Sequence, residues 1–68
     1  MSLTKVVAKN LRSLRARRKL SQERLATKAR LSVSYISMLE RGQRSPPLDT
    51  LEALAKALNV SPLDLLRG

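Results

Sequence analysis

Basic side chains are the most abundant charged groups in this sequence. Lysine and arginine account for 14 of its 68 residues, against five aspartates and glutamates, which gives a net charge of +9. Residues 1–30 hold ten of these cations and one acid, Glu23, so the excess charge lies in the first half of the chain. Such a charge attracts polyanions, because neutralising phosphates releases their condensed counterions. The charge alone therefore predicts a nucleic acid or an anionic membrane surface as partner.

Small or flexible side chains recur at helical spacing on one predicted helix. They are Val33, Ser34, Ser37, Met38 and Arg41. Residues separated by one, three, one and three positions share one surface of an α-helix. Short side chains let a helix enter the major groove, where serine can hydrogen-bond to base edges and valine or methionine can touch the thymine methyl group. A single exposed serine is more often an ordinary surface residue, but the whole group on one helix favours base reading.

The residue types that catalysis and metal binding need are scarce. The chain has neither cysteine nor histidine, so it lacks thiolate ligands, disulfides and the commonest metal ligand and general base. We therefore expect no metal, no cofactor, no small-molecule ligand and no enzymatic activity. No apolar run reaches the length of a signal-peptide core or a membrane span, so we expect no membrane partner and a cytoplasmic location.

Apolar spacing and capping residues predict the first two helices. Valine and leucine recur helically from Thr4, the expected N-cap, to about Arg18. Ser21 is a good N-cap for a short second helix. The basic block at residues 15–19 suits a solvated face and a phosphate-contacting surface equally well. Within this block, Arg17 is the candidate contact to the DNA backbone.

The later elements carry similar signals. Ser32 precedes a third helix at about residues 33–41, which we expect to end with Gly42 in the left-handed conformation. A fourth helix should begin at Pro47 and end near Asn59, and a serine–proline pair then predicts a final short helix. The sequence shows no strand pattern. Without Phe or Trp, the core must be aliphatic.

Two segments carry a family resemblance. Leu20-Ser-Gln-Glu-Arg-Leu-Ala26 and Ser34-Tyr-Ile-Ser-Met-Leu-Glu-Arg-Gly42 closely resemble the Xre/Cro/C1 family of helix-turn-helix regulators, and the similarity covers nearly the whole chain. It implies an all-α, compact five-helix lambda-repressor-like domain over residues 1–68, with its motif at about 21–41. It also implies a sequence-specific regulator of transcription in a bacterium or phage, associated with the nucleoid. The chain looks most like the controller proteins of restriction-modification systems, with stand-alone repressors as the alternative.

The resemblance implies a role for individual residues. Base contacts are implied for Val33, Ser34, Ser37 and Met38. Backbone or flanking contacts are implied for Ser21, Gln22, Tyr35, Arg41, Gln43 and Arg44. Arg15 and Glu40 match a pair that forms a salt bridge in some members, whereas two independent surface charges are the alternative. Arg30 occupies the position at the corner of the motif where the family often has glycine. A left-handed conformation there costs arginine about 1 kcal/mol more than it costs glycine.

The predicted base-reading residues suggest that one domain alone cannot bind DNA with high specificity. They lack the Arg, Asn or Gln that makes bidentate contacts with guanine or adenine, so we expect a homodimer on a palindromic operator, aided by DNA shape. Leu63, Leu65 and Leu66 are the candidate dimer interface, and closure of the core is their alternative role. A protein-interaction module on the same fold is the alternative function. The lysines beside the motif argue against a protein-interaction module, because protein interfaces are depleted of lysine.

Overall fold

Five α-helices joined by short turns make up the described part of the chain. The structure, a computed structural model, describes residues 2–68. The helices are α1 (Leu3–Arg17), α2 (Gln22–Ala29), α3 (Val33–Glu40), α4 (Leu48–Leu58) and α5 (Pro62–Leu66). The predicted all-α, five-helix architecture is confirmed, and residues 2–68 contain no strand. None of these five helices is both long enough and apolar enough to span a bilayer.

An aliphatic core joins all five helices. The largest fully buried side chains are Leu11, Leu25, Ile36, Leu39, Leu54, Leu58 and Leu65. Every helix contributes at least one of them. The buried alanines Ala26 on α2 and Ala55 on α4 have small side chains, which allow close packing of helices. Full burial of a leucine side chain contributes about 1.5–3 kcal/mol relative to exposure, so burial of these residues strongly favours the folded state.

Serine side chains begin three helices as predicted. The hydroxyl oxygen of Ser21 accepts a hydrogen bond of 3.0 Å from the backbone N–H of Arg24, and that of Ser32 accepts one of 3.0 Å from Tyr35. Ser61 caps α5 within a capping box. Each such cap contributes about 1 kcal/mol. The starts of the two motif helices are therefore fixed locally.

The start of α1 differs from the prediction. The helix begins at Leu3 with Ser2 in the N-cap position, so Thr4 lies inside the first turn. The Thr4 hydroxyl hydrogen-bonds to that of Ser45 in the α3–α4 loop. Thr4 is therefore engaged in a tertiary contact, and the cap-like side chain misled the local interpretation.

Helices α1 to α4 all end with one residue in the left-handed conformation. These residues are Lys19, Arg30, Gly42 and Asn59, with φ between +57° and +72°. At each end, the left-handed residue donates its N–H to the carbonyl three positions earlier, and the next residue donates to the carbonyl five positions earlier. This double hydrogen bond is the Schellman arrangement. The residue that follows is Leu20, Leu31 or Val60 in three of the four cases, and each packs on the core, which offsets the strain of a non-glycine residue.

The last helix is held against α1. Leu65 is fully buried, and the Asn10 side chain donates to the backbone oxygens of Leu65, at 3.0 Å, and Arg67, at 2.7 Å. The expectation that Leu65 lies in a surface interface is therefore corrected, because this side chain closes the core. Leu63 is 60% exposed and Leu66 is half-buried, so these two leucines remain at the surface.

The corner between α2 and α3 yields a prediction about stability. Arg30 has φ 59° and ψ 43°, a conformation that glycine adopts without strain. Replacing Arg30 with glycine should raise the free energy of unfolding by about 1 kcal/mol, measured by urea denaturation followed by circular dichroism.

A matched control separates conformation from charge. Arg24→Gly removes the same charge from an exposed position within α2, where glycine should lower stability by about 1 kcal/mol. If both variants lost stability equally, strain at Arg30 would be excluded.

Candidate nucleic-acid interface

The outer face of α3 forms one surface with the start of α2. A shallow groove there is lined by Gln22, Val33, Ser34, Ser37, Met38 and Arg41. All four candidate base-reading residues therefore lie together, on the opposite side of α3 from its buried Ile36 and Leu39. Val33 is 41% exposed. The groove is lined by short or flexible side chains, which leave room for a base edge.

The N-terminus of α2 adds hydrogen-bond donors beside this groove. The first backbone N–H groups of any α-helix have no acceptor within the helix, and the helix dipole makes this end attractive to anions. At α2 the Ser21 side chain accepts a hydrogen bond from the N–H of Arg24. The earlier N–H groups of this helix remain available to a ligand. The half-buried Gln22 side chain lies between this helix end and α3. The arrangement suits a phosphate group.

A buried carboxylate lies behind the groove. Glu40 is only 3% exposed. Its Oε2 accepts a hydrogen bond of 2.6 Å from Nε of Arg15, and its Oε1 accepts one of 3.0 Å from Nη2 of the same guanidinium. The ion pair implied by the family resemblance is therefore present, and the alternative of two independent surface charges is excluded. The hydrogen bond with Glu40 raises the pKa of Arg15, against a smaller lowering by burial, so the guanidinium stays charged.

Two further contacts to Glu40 were missed from the sequence. Nε2 of Gln22 donates to Oε1 of Glu40 at 3.0 Å, and Nη1 of Arg12 donates to the Glu40 backbone oxygen. The contact of Arg12 could have been predicted from its spacing to Arg15, because residues one helical turn apart on α1 share one face. The carboxylate thus collects donors from both α1 and α2.

Other predicted contact residues lie outside the groove. Tyr35 is half-buried and packs against the core. Gln43 and Arg44 are exposed in the loop after α3. Arg17 is exposed on α1 and lines a separate groove that includes Val60 and Asp64. The structure therefore groups the base-reading candidates with Gln22 and Arg41, and it separates them from Arg17.

Comparisons with known proteins agree on one family. Residues 11–65 match the helix-turn-helix family. The uncharacterized helix-turn-helix-type transcriptional regulator y4dJ of Sinorhizobium fredii is 41% identical over 97% of this chain and 86% of its own length. The control protein C.SmaI of Serratia marcescens is 46% identical over 97% of this chain and 79% of its own. The chain spans only 48% and 58% of two other relatives.

A solved structure shows the same fold. The restriction-modification controller protein C.AhdI of Aeromonas hydrophila has a TM-score of 0.88 with this chain at 40% identity, and the match covers 91% of this chain and 94% of that one. The family match extends over most of the chain. Its residues 11–65 include the two motif helices, the groove and the buried ion pair. The chain therefore belongs to the helix-turn-helix family of DNA-binding transcriptional regulators.

Proposed function

We propose that this protein binds a palindromic operator as a homodimer and regulates transcription, with α3 in the major groove of each half-site. The groove that joins α3 to the start of α2 carries this proposal. No acid is among the residues that line it, on a chain of net charge +9. Similarity to C.SmaI and C.AhdI supports the narrower role of a restriction-modification controller.

Base reading is assigned to the outer face of α3. Val33 and Ser34 are exposed in its first turn, the part of a recognition helix that contacts base edges. Ser37 and Met38 lie one turn further on and are half-buried. Serine can hydrogen-bond to base edges, and valine and methionine can contact thymine methyl groups.

Phosphate contacts are assigned to residues around this face. Ser21 and Gln22 would hold one phosphate at the start of α2. Arg41, Gln43 and Arg44 follow α3 and are exposed, so they would reach the flanking backbone. These contacts position the protein without reading sequence.

A second copy of the chain is the proposed occupant of the exposed apolar surface near α5. Leu63 and Leu66 are three positions apart on α5 and so share one side of it. Leu66 lines an apolar groove with Leu48, which is 79% exposed, and Leu3, which is 66% exposed. Exposed apolar patches mark interaction surfaces, and a two-fold axis there would pair two recognition helices.

The base contacts can be tested by selecting bound sites from a pool of random duplexes. The wild type should enrich a palindrome with half-site centres about 10 base pairs apart. Ser34→Ala and Met38→Ala should each change the preference at one position of each half-site, by about 1–3 kcal/mol per lost contact. Ser13→Ala, at an exposed position on α1, should leave the profile unchanged. Identical profiles for all three variants would count against direct readout by α3.

The phosphate contact predicts a uniform effect. Gln22→Ala should weaken binding to the selected operator and to random duplex by similar factors, because a phosphate contact carries no sequence information. Fluorescence anisotropy titrations at several salt concentrations would measure both affinities. A loss confined to the operator would show that Gln22 reads a base instead.

The proposed dimer interface predicts the effect of introducing a charge at Leu63, one of its exposed leucines. Leu63→Glu should convert a dimer into a monomer in sedimentation experiments and weaken binding to the intact operator far more than to a half operator. The control Ala16→Glu adds the same charge at an exposed position on α1 and should leave the dimer intact. A monomeric wild type that binds both DNAs equally well would falsify this interface.

A further inference from the structure

We propose that Glu40 is a positioning residue for DNA binding, whose buried carboxylate fixes the side-chain amide of Gln22 in the orientation that meets a backbone phosphate. This inference rests on the proposed function, in which Gln22 makes that contact. It assigns to an acidic residue a role in binding a polyanion. The assignment follows from the hydrogen bonds around the carboxylate.

The hydrogen bonds leave one donor of Gln22 available. A glutamine amide nitrogen carries two hydrogens. One of them is directed to Oε1 of Glu40, at a nitrogen–oxygen distance of 3.0 Å. Because Gln22 also lines the surface groove with Ser34 and Met38, its remaining N–H is left for a ligand on the DNA-binding side. The bond to Glu40 also determines which end of the amide is the nitrogen.

Glu40 can act as an anchor because it is itself held. Its side chain is 4% exposed and is bound through both oxygens by Arg15. The guanidinium of Arg15 in turn donates from Nη1 to the backbone oxygen of Leu20 in the α1–α2 turn, at 2.9 Å. The sequence of contacts from Leu20 through Arg15 and Glu40 to Gln22 therefore crosses three helices. A glutamine held in this way loses less rotamer freedom when it binds.

The charges are consistent with this role. An isolated carboxylate near the DNA backbone would repel phosphate, but Arg15 neutralises Glu40 at hydrogen-bond distance. The pair therefore adds no net charge beside the groove. Its contribution to binding is geometric, through the direction of the Gln22 amide.

The first test needs no variant. The sequence contains two glutamines, Gln22 and Gln43, and Gln43 is exposed in the loop after α3. Nitrogen-15 relaxation of the side-chain amides in the free protein should give Gln22 an order parameter near that of rigid backbone, about 0.85, and Gln43 one below about 0.6. Equal mobility of the two amides would overturn the proposal.

The second test couples the two residues through DNA affinity. In the wild type, Gln22→Ala should weaken binding to random duplex about tenfold, the effect of one well-made hydrogen bond. Glu40→Ala removes both acceptor oxygens, so the Gln22 amide loses the partner that orients it. In that background, Gln22→Ala should weaken binding less than about threefold.

The outcomes separate this inference from the proposed function. An equal loss in both backgrounds would overturn the positioning role of Glu40 and leave DNA binding intact. A wild type that fails to bind duplex would overturn the proposed function itself. Affinities are compared below the unfolding transition of each variant, and if Glu40→Ala does not fold, the relaxation of Gln22 in the wild type decides the question.

Discussion

The buried carboxylate of Glu40 is the constraint on which the arrangement of the first three helices depends. Withdrawing a charge from water costs several kcal/mol unless a partner and further hydrogen bonds replace the lost solvation. At Glu40 the replacement comes from Arg15 on α1 and Gln22 on α2. Helices that moved apart would leave the charge without these donors. The penalty for burying Glu40 thus becomes a restraint on how α1, α2 and α3 lie together.

This restraint complements the aliphatic core. The core is built from leucine, isoleucine, valine and alanine, whose burial is favourable but non-directional. Such cores tolerate repacking when volume and pattern are kept, so they fix the angle between helices only loosely. Hydrogen bonds to a buried carboxylate are directional and are lost with small displacements. The leucines therefore stabilise the domain, and the Glu40 contacts select one arrangement of its motif helices.

Local signals in the sequence predicted most of the fold and part of the site. Ser21 and Ser32 cap helices because their side chains need only a backbone N–H three residues ahead. The left-handed Lys19 was not predicted, because its conformation is supported by the tertiary packing of Leu20. The bond between Gln22 and Glu40 spans 18 residues, and no local pattern encodes it. Contacts that depend on how the helices pack were thus the ones that sequence reasoning missed.

The proposed base reading by short side chains depends on how precisely α3 is placed. A long arginine can keep a contact by changing rotamer when its helix shifts, whereas Ser34 and Ser37 each carry a hydroxyl one bond from Cβ. Hydrogen bonds weaken steeply with distance and angle, so a shift of about 1 Å would separate such a hydroxyl from a base edge. Specificity from short side chains therefore requires a rigidly placed helix. The ion pair between Arg15 and Glu40, whose acidic residue ends α3 itself, restrains the helix next to the side chains proposed to read bases.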